Sequence, residues 1–313
     1  DKVQKYAKEI VSDMDLQMLA LDLDFLSVLR SLQENALVKR YKNALCALSG
    51  TPSEFASAYG ALCAQVYETG DPSRVLLHSI HRDSNALTDT IDRPSEQVMG
   101  AVNHDVRTLC AMLSVSGSEL LDTAKSIFGQ ALPNLYTLPT FRAGTALPFS
   151  DAAGLRSFYQ ENGFGFFAGA TFYAVDKEAI VPVIHPDPVR LTDLKGYARQ
   201  KAQIITNTRA FLAGRAANNI LLYGDKGTGK SSTVKAVVNE YAKDGLKIVE
   251  LSVTQIAMFP MICACAAHSP YKIIVFLDDL SFEREDDNFA ALKAFIEGGL
   301  TGKPDNLILY ASD

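Results

Sequence analysis

Gly224-Asp225-Lys226-Gly227-Thr228-Gly229-Lys230-Ser231 is the stretch on which the reading of the fold turns. It fits the pattern G-x-x-x-x-G-K-S/T at every fixed position, and each residue type there has a physical task. Glycines let the backbone turn tightly and bring successive N–H groups within reach of phosphate oxygens. A helix starting at Lys230 adds the positive end of its dipole. The Lys230 ammonium reaches the β and γ phosphates, and the Ser231 hydroxyl is a ligand for Mg2+. Asp225, Lys226, Thr228 and Ser232 complete the phosphate-binding segment. The surroundings agree: Asn219-Ile220-Leu221-Leu222-Tyr223 reads as a strand before the loop. Val234, Val237, Val238 and Tyr241 recur at helical spacing after it, with Gly245 as the stop. A turn that merely joined strand to helix would not need Lys230 followed by Ser231.

Working outward toward the C-terminus, Lys247 to Val253 is a second strand, and a helix spans Ile256 to Ala267. The run Lys272-Ile273-Ile274-Val275-Phe276-Leu277 is a third strand, and it ends in Asp278-Asp279. A carboxylate at the tip of a buried strand must be paired or metal-bound, because a bare buried charge is costly. Asp278 is accordingly the candidate that holds Mg2+ through water, and Asp279 the candidate that polarises an attacking water; the alternative is a strand-end turn with solvated acids. Lys230 and Asp279 are the candidate catalytic pair. A helix with Phe289, Leu292, Phe295 and Ile296 then ends at Gly298-Gly299, and Leu307 to Asp313 is a fourth strand. Near-continuous apolar strands separated by amphipathic helices require a parallel sheet covered on both faces. The strand between the two motif strands predicts an ATPase sheet with an additional strand, whose sensor residue, last strand and lid fall after Asp313. On this reading the sheet is truncated at its C-terminal end.

Toward the N-terminus the texture is helical. Residues 1–150 are expected to form a mainly helical domain, 151–180 a hairpin or linker region, and 181–313 the nucleotide-binding core. Thr51-Pro52-Ser53-Glu54 is a helix start, with Thr51 as cap, Pro52 in the first turn and Glu54 at the capping-box position. Leu16 to Leu32 is expected as one helix, and Ser118 as the start of another. Pro133, Pro139, Gly144 and Pro148 mark Ala131 to Ser150 as a linker or long loop. The aromatic run Gly163 to Tyr173 is a candidate hairpin whose rings are core; base stacking is the alternative, and no Lys or Arg interleaves it.

With 313 residues, 48% of them hydrophobic and 21% charged, the chain has ample material for a core and is not disordered or collagenous. Thirty Lys+Arg against 36 Asp+Glu give a net charge of -6, which repels a phosphate backbone, so nucleic acid is not supported as a partner. Five cysteines scattered among apolar residues read as reduced thiols and point to the cytoplasm. No apolar stretch is long enough for a membrane helix. Cys263, Cys265 and His268, or His78, His81 and His104, lack the spacing of a metal site. The acidic run Glu283, Glu285, Asp286 and Asp287 is a solvated helix start.

The segments His185-Pro186-Asp187-Pro188-Val189-Arg190-Leu191, Asp193-Leu194-Lys195-Gly196-Tyr197, Asn207-Thr208, Ala217-Asn218-Asn219, Gly224 to Ser232 and Asp278-Asp279-Leu280-Ser281-Phe282 together resemble a bacterial family of predicted ATP-binding proteins. That family lies in the AAA+ superfamily of P-loop NTPases and is known as domain-of-unknown-function family 815. The resemblance covers about residues 160 to 313. It implies an AAA+ core, ATP, Mg2+ and self-assembly into a homo-oligomer. By position, Asp193 to Tyr197 resembles the segment that lines the adenine pocket; the alternative is a plain helix start. Asp279 stands where many AAA+ enzymes have Glu, one methylene longer. The leading expectation is an ATPase that moves an unknown protein partner recognised by the helical domain. The others are a nucleotide-gated binding module with little hydrolysis and a small-molecule P-loop kinase, which the extra strand disfavours.

Overall fold

Helices in the N-terminal half begin where short polar side chains meet the unpaired N–H groups of a first turn. The computed structural model describes residues 16–132, 138–267, 269–279 and 304–313. These fall into two units that divide between Asn162 and Gly163. All regular structure described in the first unit is helical: α1 Leu16–Asp24, α2 Ala36–Cys46, α3 Pro52–Thr69, α4 Pro72–Arg82, α5 Ala86–Asp89, α6 Glu96–Ser114, α7 Gly117–Phe128 and α8 Ala152–Asn162. Asn35 caps α2, Thr51 and Glu54 form the expected box on α3, and Asp71 caps α4. Each such cap contributes about 1 kcal/mol. On α7 the cap is Ser116, whose box partner is Glu119 three residues on, and not the expected Ser118.

One further expectation is corrected in this unit. Leu16 to Leu32 is not one helix: α1 ends at Asp24, and Arg30–Glu34 forms a separate 3-10 turn. The break is held by the fully buried Asp105 of α6, whose carboxylate accepts the backbone N–H groups of Ser27, Val28 and Leu29 at 2.8–3.2 Å. Within the expected linker or long loop, residues 138–150 form no helix or strand, and Phe141, Leu147 and Phe149 there are buried. The Tyr59 hydroxyl donates to Pro139 O at 2.7 Å, and Thr145 Oγ1 donates to Asp71 Oδ2 at 2.7 Å.

The second unit is an α/β layer structure. Its elements are β1 Phe172–Asp176, β2 Ala179–Pro182, α9 Ala198–Leu212, β3 Ile220–Leu222, α10 Lys230–Tyr241, β4 Leu246–Leu251, α11 Phe259–Ala267, β5 Lys272–Leu277 and β6 Leu307–Ser312. The described strands form one sheet in the order β2-β1-β4-β5-β6-β3, parallel except for the β1/β2 pair. The hairpin is this pair, with Lys177 at φ +54° in its turn, and it lies later than the expected Gly163 to Tyr173 run. There Phe166–Ala168 is a 3-10 turn, and Phe167 and Tyr173 are buried edge-to-face at 5.1 Å.

Alternation explains why β5 reads as an unbroken apolar run. Ile273, Val275 and Leu277 face Ile256, Phe259 and Ile262 on one side of the sheet. Ile274 and Phe276 face Val234, Val237 and Val238 of α10, with Ile204 and Phe211 of α9, on the other. All five strand residues have 0% exposure, and each such side chain stabilises by about 1.5–3 kcal/mol. Tyr310 of β6 is equally buried, and its hydroxyl meets Thr208 Oγ1 at 2.7 Å and accepts from Asn207 Nδ2 at 3.2 Å, which fastens α9 to the sheet. The expected helix at 289–296 and the acidic run at 283–287 lie outside the described residues.

Candidate functional site

β6 separates the strand that leads into the glycine-rich loop from the strand that ends in Asp278. Leu222 of β3 pairs with Ser312, and Leu277 of β5 pairs with Ala311, so the tip of β6 lies between the two motifs. The Asp313 N–H extends the ladder to Leu222 O at 3.0 Å. The strand inserted between them in sequence, β4, lies on the far side of β5. Open parallel sheets bind ligands beyond the carboxyl ends of their strands, and both motifs sit at that end.

The loop itself is built by backbone conformations that only glycine adopts without strain. Gly224, Gly227 and Gly229 have φ of +143°, +83° and +80°. A Cβ added at any of the three would meet no atom within 4 Å, so it is backbone conformation and not crowding that favours glycine there. Thr228 Oγ1 donates to Asp225 O at 2.8 Å and Thr233 Oγ1 donates to Gly229 O at 2.7 Å, which pins both ends of the turn. α10 then starts at Lys230, so the positive end of its dipole and its first N–H groups lie at the loop. Lys230 Nζ donates to Gly224 O at 2.5 Å and to Asp225 O at 3.1 Å. An anion entering the loop would compete for that ammonium against two neutral carbonyls, and an anionic acceptor makes the stronger hydrogen bond.

Ser231 and Asp278 come together at the other wall. Ser231 Oγ donates to Asp278 Oδ1 at 2.7 Å, and Ser312 Oγ donates to the same oxygen. This oxygen-only set, a hydroxyl beside a carboxylate, matches the ligand chemistry of a hard divalent cation that takes its other ligands from water and phosphate. Among the described residues no group of three or more His, Cys, Asp or Glu gathers into a metal cluster. Asp279 is exposed, adopts φ +60°, and donates its N–H to Ser312 Oγ at 3.4 Å. Asp225, Lys226 and Gly227 are exposed on the loop, while Thr228, Lys230, Ser231 and Ser232 are half-buried.

The sheet order, the glycine loop and the acidic strand end give the second unit the architecture of a P-loop fold of the AAA+ type. Residues 168–313 match the family model described as "Protein of unknown function (DUF815)". This segment is similar to that family. Among solved structures, "Structure of AMPPCP-bound DnaA from Aquifex aeolicus" is 19% identical over 42% of this chain and 44% of that chain, with a TM-score of 0.30. "Crystal Structure of the DnaI" is also 19% identical, over 45% of this chain and 76% of that one, with a TM-score of 0.30. The chain thus spans less than half the length of the DnaA structure. No curated protein matches the sequence.

The second unit also shows what lies ahead of the loop. Asn239 Nδ2 of α10 donates to Asp187 O and Val189 O, both at 2.9 Å, so the segment before α9 is tied to the helix that follows the loop. Asp193 Oδ2 accepts the Arg190 N–H at 2.8 Å, and Tyr197 precedes α9 at φ +50° with its side chain 55% exposed. Sequence reasoning expected a polar residue at the tip of this strand but placed it after Asp313, and did not single out Ser312. Its signal was the strand order: with β6 between β3 and β5, a polar residue at the tip of β6 must fall beside Asp278.

Proposed function

We propose that this chain binds ATP with Mg2+ and hydrolyses it, and that the nucleotide state switches or remodels a protein partner. The observation that carries the reading is the convergence of the Gly224–Ser231 loop and the Asp278 carboxylate at the tip of β6. Loop N–H groups and the N-terminus of α10 would hold the phosphates, with Lys230 on the terminal ones. Ser231 would ligate the metal directly, and Asp278, which accepts the Ser231 hydroxyl, would hold one of its waters. When bound, Mg2+ would supply charge neutralisation for the phosphates. Asp279 would orient and polarise the attacking water. Recognition of the partner is assigned to the helical unit, and self-assembly to the nucleotide-bound second unit. Among the described residues no helix is long and apolar enough to cross a membrane.

One observation favours a second reading, a nucleotide-gated module with slow turnover. Asp279 is one methylene shorter than Glu and sits on a left-handed, exposed backbone, where a water-orienting carboxylate is held loosely. Phosphate release separates the two. In the ATPase reading Asp279→Asn binds Mg·ATP as wild type does but releases phosphate at least about 100-fold more slowly, the size of a lost general base. Wild type that binds tightly yet releases no phosphate supports the gated module and sinks the ATPase.

A further inference from the structure

The polar group least expected on β6 is Ser312. Leu307, Ile308, Leu309, Tyr310 and Ala311 before it are all buried, and Ser312 itself is only 2% exposed. A hydroxyl in such a place is costly unless both its donor and its acceptor capacity are used. Here both are: Oγ donates to Asp278 Oδ1 and accepts the Asp279 N–H at 3.4 Å. One side chain thus touches both acids of the strand end. Asp278 lies just past the last residue of β5, where the strand ladder no longer fixes it, and its carboxylate turns about two bonds. Ser231 and Ser312 converge on one of its oxygens from α10 and β6, so no rotation of the carboxylate preserves both bonds. Asp279, a non-glycine residue at φ +60°, occupies a conformation that costs roughly 1–2 kcal/mol and persists only where a neighbour holds it.

We infer that Ser312 is a positioning residue: through its hydroxyl it fixes the Asp278 carboxylate against Ser231 and secures the backbone of Asp279, so that the acidic strand end is set before a metal arrives. The inference rests on the Mg·nucleotide reading above. It assigns Ser312 no contact with nucleotide, and it therefore separates the metal-dependent part of binding from the rest. Ser312→Ala removes the hydroxyl and leaves a side chain that the site accommodates, whereas Ser312→Thr retains it.

The test is the affinity of the full chain for a fluorescent ATP analogue, measured with Mg2+ and with EDTA, for wild type, Ser312→Ala and Ser312→Thr. The expected result is that Ser312→Ala binds as wild type does in EDTA, but loses roughly tenfold of the affinity gained with Mg2+, the scale of one charge-assisted hydrogen bond. Ser312→Thr restores the gain. An unchanged Mg2+ gain in Ser312→Ala overturns the inference, and so does an equal loss with and without Mg2+, which marks a merely structural role. Should Ser312→Ala not fold, Ser312→Cys carries the same comparison with a much weaker hydrogen bond. Failure of the underlying reading looks different: wild type then shows no Mg2+ gain, and Lys230→Ala binds the analogue as well as wild type.

Discussion

Ser231 and Asp278 share a 2.7 Å hydrogen bond although 47 residues separate them in sequence. The bond joins the first turn of α10 to the tip of β5, two elements that are not neighbours in the chain and whose strands are not neighbours in the sheet. It also makes the metal-ligand candidates mutually dependent. A hydroxyl aimed at a carboxylate presents its oxygen lone pairs elsewhere, which is what a cation ligand must do.

That dependence has a measurable size before any nucleotide is added. Ser231→Ala and Asp278→Ala should be non-additive in urea unfolding, with a coupling of about 1 kcal/mol, the net value of a partly buried hydrogen bond to a charge. Strict additivity would show that the bond contributes nothing to the folded state.

In the helical unit, the three N–H groups of Ser27, Val28 and Leu29 depend on one carboxylate. Asp105→Ala is expected to destabilise by about 2 kcal/mol or more, since it orphans the buried Leu29 N–H, at a cost on the order of 1–3 kcal/mol, and the part-buried N–H groups of Ser27 and Val28. Asp105→Asn, which keeps one acceptor oxygen, should lose less. Chemical denaturation followed by circular dichroism reports both, and an Asp105→Ala variant as stable as wild type contradicts the assignment.

Lys247 on β4 is 7% exposed; it donates to Ala170 O at 2.8 Å and lies 4.3 Å over the Tyr271 ring. Burial pushes its ammonium down to about 8. Because the unfolded chain then holds more protons than the folded one between pH 8 and about 10.5, wild type gains stability as pH rises through that window, and the penalty is fully present below it. Compared with Lys247→Met, wild type should gain on the order of 1–3 kcal/mol between pH 7 and pH 10. A stability difference independent of pH would place the lysine in a more polar setting.

The glycine-rich loop between β3 and α10 was legible because its signal is local: eight consecutive residues contain the glycines, the lysine and the serine, and flanking periodicity supplies the strand and helix. Asp278 was legible for a related reason, as a charge at the end of an apolar run. Ser312 was not, since its role depends on β6 slotting between β3 and β5, a fact of sheet order that no local pattern carries. The end of α1 at Asp24 was hidden in the same way. Its apolar spacing continues through Leu26 and Leu29, and the break is imposed by Asp105, 76 to 78 positions away. Ser116 differs: its three-residue spacing to Glu119 is the capping-box signature, and the nearer Ser118 drew attention from it.

The central claim is that the Gly224–Ser231 loop holds the phosphates of a nucleotide, and titration of wild type and Lys230→Ala with ATP by calorimetry in Mg2+ tests it most directly. The account predicts saturable binding to wild type and a loss of at least about tenfold in Lys230→Ala, which removes the ammonium that would bond the phosphates. Equal affinity in the two proteins, or no heat with either, would contradict it.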